Sequence, residues 1–280
     1  MTAIPFRLRI PAGAAVLARP GVLALAAALA GLAFRLQKAW GDISDLLLKA
    51  TSDDAFYYFG IARNIAGGHN VSFDGETLTN GFHPLWMVIL TPIYLITDSQ
   101  EMPIHVALTV AAVLSAGTVL LVYAIVRRLT ANPWAALVAA LFYAVHAYLI
   151  VEAVNGMETA LTVFMLALTT WLFLHIVGGE RASTADYAWL GVCAGLMVLV
   201  RTDTIFVLPP LLAFLALRER GRQRWRSALT SGGLALLVVA PWAIWSLVTF
   251  GTVIQVSGVA VADIDRQAFL DVHGSSFATQ

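Results

Sequence analysis

The chain has 280 residues, of which 59% are apolar and 12% charged, with a mean hydropathy of +0.80. Soluble domains average about 45–50% apolar and about 25% charged residues, so an ordinary soluble fold is excluded and an all-α, polytopic transmembrane helix bundle is expected. Seventeen basic and seventeen acidic residues cancel, and there is one cysteine, Cys193. A nucleic-acid footprint needs a basic excess, and a disulfide framework or thiolate metal cage needs more than one thiol.

Eight apolar segments follow in chain order, at residues 12–34, 82–97, 104–126, 133–151, 159–177, 187–200, 204–217 and 230–250. The first has the basic start and small residues of a secretory leader. Seven more follow it, so it reads as the first helix of the bundle. Arg7, Arg9, Arg19, Arg127-Arg128 and the basic stretch 218–226 favour the cytoplasmic side. Counting back from Arg218 puts the 152–158 turn and the break at 201–203 outside. The first loop and the acidic stretch 98–103 also read as outside, which leaves 82–97 unable to cross the membrane once. That segment is either re-entrant or a place where one charge cue misleads.

Residues 35–81 hold ten of the 34 charged residues. Loops longer than about 12–15 residues are usually functional or disordered. This one carries Trp40, Phe56, Tyr57, Tyr58, Phe59 and Phe73, a composition for a folded cap on the outer membrane surface. Within it an amphipathic interfacial helix is expected from about residue 53 to 66, with Ser52 as N-cap and Gly67-Gly68 as its stop. Asp53 and Asp54 open that helix. Acids there are stabilised by the helix dipole, about 0.3–1 kcal/mol each. The same pair at a water–lipid boundary suits a general base that takes a proton from a sugar or phenol hydroxyl. Asn80-Gly81-Phe82-His83-Pro84-Leu85-Trp86 puts His83 at the head of the next segment. It reads either as an interfacial residue beside a Trp anchor or as a hydrogen-bonding partner of a phosphate or hydroxyl.

An outward loop after the first helix, an acidic pair opening an amphipathic helix, and His-Pro-Leu at the next segment resemble the GT-C membrane glycosyltransferases. Asn155-Gly156-Met157-Glu158-Thr159-Ala160-Leu161, the charged break Val200-Arg201-Thr202-Asp203, and Pro241-Trp242 to Trp245 followed by Phe250-Gly251-Thr252 are similar to further features of those families. The resemblance covers most of the chain and rests on the order of short motifs. It implies a polyprenyl-phosphate sugar donor, transfer on the outer face of the membrane with inversion at the anomeric carbon, and an acid of the first outer loop as general base. Asp54 matches that acid when counted from Ala62-Arg63, and Asp53 when counted from the pair alone. The resemblance also implies a bacterial inner-membrane location and one module spanning 1–280. The polar tail at 263–280 completes no element, which suggests a truncated or compact member.

Glu158 reads as a solvated acid at a helix end, a supporting acid of the site, or a metal ligand beside Asp53. Oxygen ligands of this kind suit Mg²⁺ or Mn²⁺. Arg201 either pairs with Asp203 or binds the lipid-linked phosphate, and Arg63 is a second phosphate candidate. His105, His146 and His175 share no ligand spacing and read as packing residues. Phosphate loops, Gly-Xaa-Ser-Xaa-Gly, Cys-Xaa-Xaa-Cys and His-Glu-Xaa-Xaa-His are absent from the sequence. Two other classes compete with the enzyme: a transporter or flippase using Arg201, Asp203 and Glu158 as a pathway, and a non-catalytic scaffold.

Overall fold

Proline at the first or second position opens four of the helices, where its missing N–H costs nothing. The computed structural model describes residues 19–97, 99–179, 182–218 and 221–257. Arg7, Arg9, Asp98, Glu219, Arg220 and the tail at 263–280 lie outside the described residues. The elements are α1 (Pro20–Ala39), α2 (Ile43–Lys49), α3 (Asp53–Ala66), α4 (Pro84–Tyr94), α5 (Met102–Thr130), α6 (Pro133–Val145), α7 (Ala147–Ala153), α8 (Thr159–Gly178), α9 (Thr184–Val200), a 3-10 turn (Thr202–Val207), α10 (Leu208–Arg218) and α11 (Arg222–Phe250). The chain is an all-α bundle, as its composition requires.

By length and composition, α1, α5, α8 and α11 are able to cross a membrane. The pair α6–α7 makes a fifth span if its 61° bend is counted within one crossing. The shorter α9 and the 3-10 turn with α10 run between the same two ends of the bundle. Glycine sets the closest of these contacts. Gly195 of α9 lies so near α11 that a Cβ would stand 2.7 Å from the carbonyl of Ala235, and Gly191 meets Ser231 in the same way. Small residues one turn apart let two helix backbones approach.

The bend between α6 and α7 has an identifiable cause. Arg35 is fully buried and donates to the carbonyls of Ala144 at 3.0 Å and Tyr143 at 3.4 Å. A continuous helix would bond those carbonyls to the N–H groups four residues on. The guanidinium takes their place, and His146 leaves the helical region at ψ 117°. Arg35 was expected in the outer loop; α1 runs on to Ala39, so Arg35 sits inside the bundle instead.

The fate of 82–97 settles the topological conflict. α4 has 11 residues, roughly 17 Å at 1.5 Å per residue, against a hydrocarbon core of about 30 Å. It starts where Tyr58 meets His83 and ends with Tyr94 in the field of Arg63, so it runs along α3. The chain then returns to the end it left, where His105 of α5 bonds the Ala39 carbonyl at 2.6 Å and stacks on Trp40. The segment therefore crosses nothing, and both flanking loops lie at one end.

Candidate active site

At that same end α3, α4 and α8 begin and α9 and α11 finish, beside the termini of α1, α5 and α7. Asn155 builds the turn before α8. Its carboxamide donates to Glu152 and Thr159 at 3.0 and 3.1 Å and accepts from the Met157 N–H at 2.9 Å. Gly156 follows at φ +83°, a conformation that L side chains rarely adopt. The turn then receives two elements. The Ser52 N–H donates to the Asn155 carbonyl at 3.0 Å, and Trp86 Nε1 donates to the Gly156 carbonyl at 3.2 Å. Trp86 is thus a core residue and not an interfacial anchor. Ser52 holds the N-cap position of α3 without a side-chain cap, contrary to expectation.

Glu158 is 1% exposed, so it is no solvated helix-end acid. Its Oε1 lies 3.5 Å from His83 Nε2 and 3.3 Å from Arg201. Among the described residues its Oε2 is buried with no hydrogen-bond partner at bonding geometry, and the Tyr58 hydroxyl is its neighbour. Arg201 also donates to Asp203 at 3.0 and 3.3 Å. The charged break is therefore both an internal pair and a link to Glu158. It leaves Arg201 42% exposed, with room for a further anion.

Tyr58 closes the group from above. Its hydroxyl accepts from the His83 N–H at 3.1 Å. Burial pushes the Tyr58 phenol well above its ordinary value, and the Glu158 carboxylate adds to this. Burial holds His83 below its ordinary value, with Glu158 partly opposing. The bond from Arg201 holds the Asp203 carboxyl below the usual range. At neutral pH the site thus contains a neutral imidazole, a neutral phenol and a guanidinium.

Asp53 and Asp54 are exposed in the first turn of α3. Helical register separates them. Asp54 is one turn from Tyr58 and shares its ridge, whereas Asp53 shares the ridge of exposed Tyr57. Arg63 stands nine residues beyond Asp54, roughly 14 Å along the helix, beside Tyr94. Glu158, His83 and Arg201 are brought together, Asp54 lies on the ridge of Tyr58, which meets His83, and Arg63 belongs to the other end of α3.

Mg²⁺ or Mn²⁺ was expected on Asp53 and Glu158. Among the described residues no three His, Cys, Asp or Glu side chains gather at metal-holding spacing. Glu158 faces hydrogen-bond donors instead. Next to the cluster, an apolar groove of about 310 Å³ opens between α4, α9 and α11, lined by Pro84, Leu85, Val88, Leu199, Val238, Pro241, Trp242 and Trp245. His105, His146 and His175 lie apart from the site, each against an aromatic ring. Tyr58 and Gln255 escaped the sequence reading: one looked like an interfacial aromatic, and the other stands singly between Ile254 and Val256 in a short apolar run.

Relatives in Pseudomonas paraeruginosa (strain DSM 24068 / PA7) and in two Pseudomonas aeruginosa strains, PAO1 and UCBPP-PA14, bear the name undecaprenyl phosphate-alpha-4-amino-4-deoxy-L-arabinose arabinosyl transferase. Each is 31% identical over 153 residues, which is 50% of this chain and 26% of the relative. The chain therefore spans well under half the length of the curated relatives it matches. The sequence profile described as dolichyl-phosphate-mannose-protein mannosyltransferase matches residues 83–245. That stretch begins at His83 and includes Glu158 and Arg201, while Asp53, Asp54, Arg63 and Gln255 fall outside it. It covers more than half of the chain, which belongs to this family of GT-C-type glycosyltransferases.

Proposed function

We propose that the protein works as a membrane glycosyltransferase that moves a sugar from a polyprenyl-phosphate donor to an acceptor at the outer face of a bacterial inner membrane, as one module. The observation that carries this reading is the cluster of Glu158, His83 and Arg201 between the acidic start of α3 and an apolar groove. An anionic lipid with an isoprenoid tail needs such a neighbourhood: a cation for the phosphate, an apolar trough for the chain, and a base above for the acceptor.

In this reading Asp54 takes the proton of the acceptor hydroxyl, with Asp53 as the other candidate. The oxygen attacks the anomeric carbon from the face opposite the phosphate. The bond between that carbon and the phosphate oxygen breaks, and polyprenyl phosphate leaves with the electron pair. Arg201 holds the charge that develops on the leaving phosphate. His83 donates Nε2–H toward the same oxygens, and buried Glu158 orients both donors. The basic end of the bundle faces the cytoplasm under the positive-inside rule.

Transfer from a polyprenyl-phosphate sugar in reconstituted membranes tests this. Asp54→Asn should lower the rate by about 10²–10⁴-fold, with expression unchanged and Asp53→Asn much milder. Wild-type rates from both single variants would sink the assignment. Flux of the lipid-linked substrate with no sugar transferred would instead support a transporter, which Arg201, Asp203 and Glu158 would serve as a pathway.

A further inference from the structure

The chain leaves α11 through Gly251, which is left-handed at φ +71°, and folds back over the site. Asn80 receives it. This fully buried side chain donates to Ser246 Oγ at 2.8 Å and to the Ile254 carbonyl at 3.3 Å, and accepts from the Val256 N–H at 2.9 Å. The residue between those last two is Gln255. Its Nε2 donates to the Phe82 carbonyl at 2.7 Å and lies 3.1 Å from His83 Nδ1. Its Oε1 accepts from Thr202 Oγ1 at 3.5 Å.

We infer that Gln255 is a positioning residue that holds His83 as its Nε2–H tautomer, with that N–H turned toward Glu158 and the phosphate-binding corner. A carbonyl oxygen can only accept, so the end of the carboxamide facing Phe82 must be the NH₂. The second hydrogen of that nitrogen points at Nδ1, which must therefore be the bare nitrogen. The imidazole proton then sits on Nε2, facing Glu158 Oε1. The other tautomer would set a lone pair against a carboxylate and a donor against a donor. Through Thr202 the same carboxamide reaches the break that carries Arg201, so one side chain registers both proposed phosphate donors. The tautomer follows from the hydrogen-bond pattern alone; its consequence for catalysis rests on the transferase reading.

The test is nitrogen NMR on the intact protein, labelled with ¹⁵N-histidine and held in lipid nanodiscs. There are six histidines, and His83 is assigned by its loss in His83→Asn. The wild type should show a protonated Nε2 and a bare Nδ1. Gln255→Glu keeps the shape but offers only acceptors, so His83 should shift to Nδ1–H or become doubly protonated. Gln255→Met, which offers neither, should give a mixture and serves if the Glu variant fails to fold. Transfer by Gln255→Glu should fall about tenfold, the scale of one lost hydrogen bond. A wild-type His83 protonated on Nδ1, or nitrogen shifts unchanged in both variants, would overturn the inference. Shifts that change as expected while transfer keeps its wild-type rate would support the tautomer assignment. They would remove His83 from the reaction, a failure of the proposed function instead.

Discussion

The two ends of the bundle use charge differently. At one end side chains bind other side chains across elements: Glu158 meets His83 and Arg201, Gln255 meets His83, and Asn80 meets Ser246. At the other end arginines bind mainly backbone, with Arg226 on the Thr184 hydroxyl as the exception. Arg128 donates to the carbonyls of Leu174 and His175, and Arg218 to those of Ile176 and Gly179. The last carbonyls of a helix have no partner within it and carry the negative end of its dipole. An arginine placed there is consumed by the helix end of α8. The polar end differs, because among the described residues a buried Glu158 oxygen has no hydrogen-bond partner and Arg201 stays partly exposed. The difference separates charge that finishes a fold from charge that is available to a substrate.

Glycine offers the sharpest way to break the comparison. A Cβ on Gly156 would stand 2.7 Å from the Ala55 Cβ, at a φ of +83°. Gly156→Val should push α3 off the turn and carry Asp54 out of register with Glu158. Transfer should fall about a hundredfold, while the unfolding free energy drops by only about 1–3 kcal/mol. Gly221, before α11, has φ +59°, and among the described residues nothing lies within 4 Å of its Cβ position. Gly221→Ala should cost about 1–2 kcal/mol and leave transfer unchanged. Equal losses of transfer in the two variants would show that the assay follows stability and not register.

The buried acid gives the next effect. Arg201→Met removes one of the two donors facing Glu158 and leaves a carboxylate in a site it cannot leave. Breaking a buried pair in this way costs about 3–5 kcal/mol; with Arg201 partly exposed, about 2 kcal/mol is expected. Adding Glu158→Gln should recover part of that loss, a coupling that a double-mutant cycle measures. Additive losses would mean that the two side chains do not interact.

The spans at 104–126, 159–177 and 230–250 were legible because apolar length alone defines them, and α5, α8 and α11 contain them. α11 begins earlier, at Arg222, because the basic stretch before it also folds as helix. The bend at His146 was not legible. No proline or glycine marks it, and its cause is Arg35 of another helix. The site was legible in its charged members, His83, Glu158 and Arg201, because buried charge in an apolar chain is conspicuous. Gln255 was not, since its role depends on Asn80, 175 residues earlier, holding the returning chain. Motif counting left Asp53 and Asp54 both open, and helical register adds only that Asp54 shares the ridge of Tyr58.

At the basic end the expected effects are smaller. Arg128→Met removes two hydrogen bonds to α8 carbonyls that water can reach. Its cost should be about 0.5–1 kcal/mol, read from denaturant unfolding in a mild detergent. Transfer should keep its wild-type rate and pH profile. A loss of transfer larger than the loss of stability would place Arg128 in communication with the site and erase the distinction between the ends.

The weakest expected signal is in pH, and its sign follows from His83. Burial holds the folded imidazole below its ordinary value of 6.5. Between the two values the unfolded chain binds a proton that the folded chain refuses, so stability rises with pH there. Its contribution is therefore present above 6.5 and is lost as pH falls toward the folded value. Glu158 and Asp203 face the ring and favour its charged form, while Arg201 opposes it, so the window is narrower than burial alone would make it. His83→Asn should flatten the slope just below pH 6.5. If instead the wild type gains stability on acidification through that window, the imidazole charges within the folded site. Glu158 would then hold a cation, and the tautomer set by Gln255 would matter only above that pH.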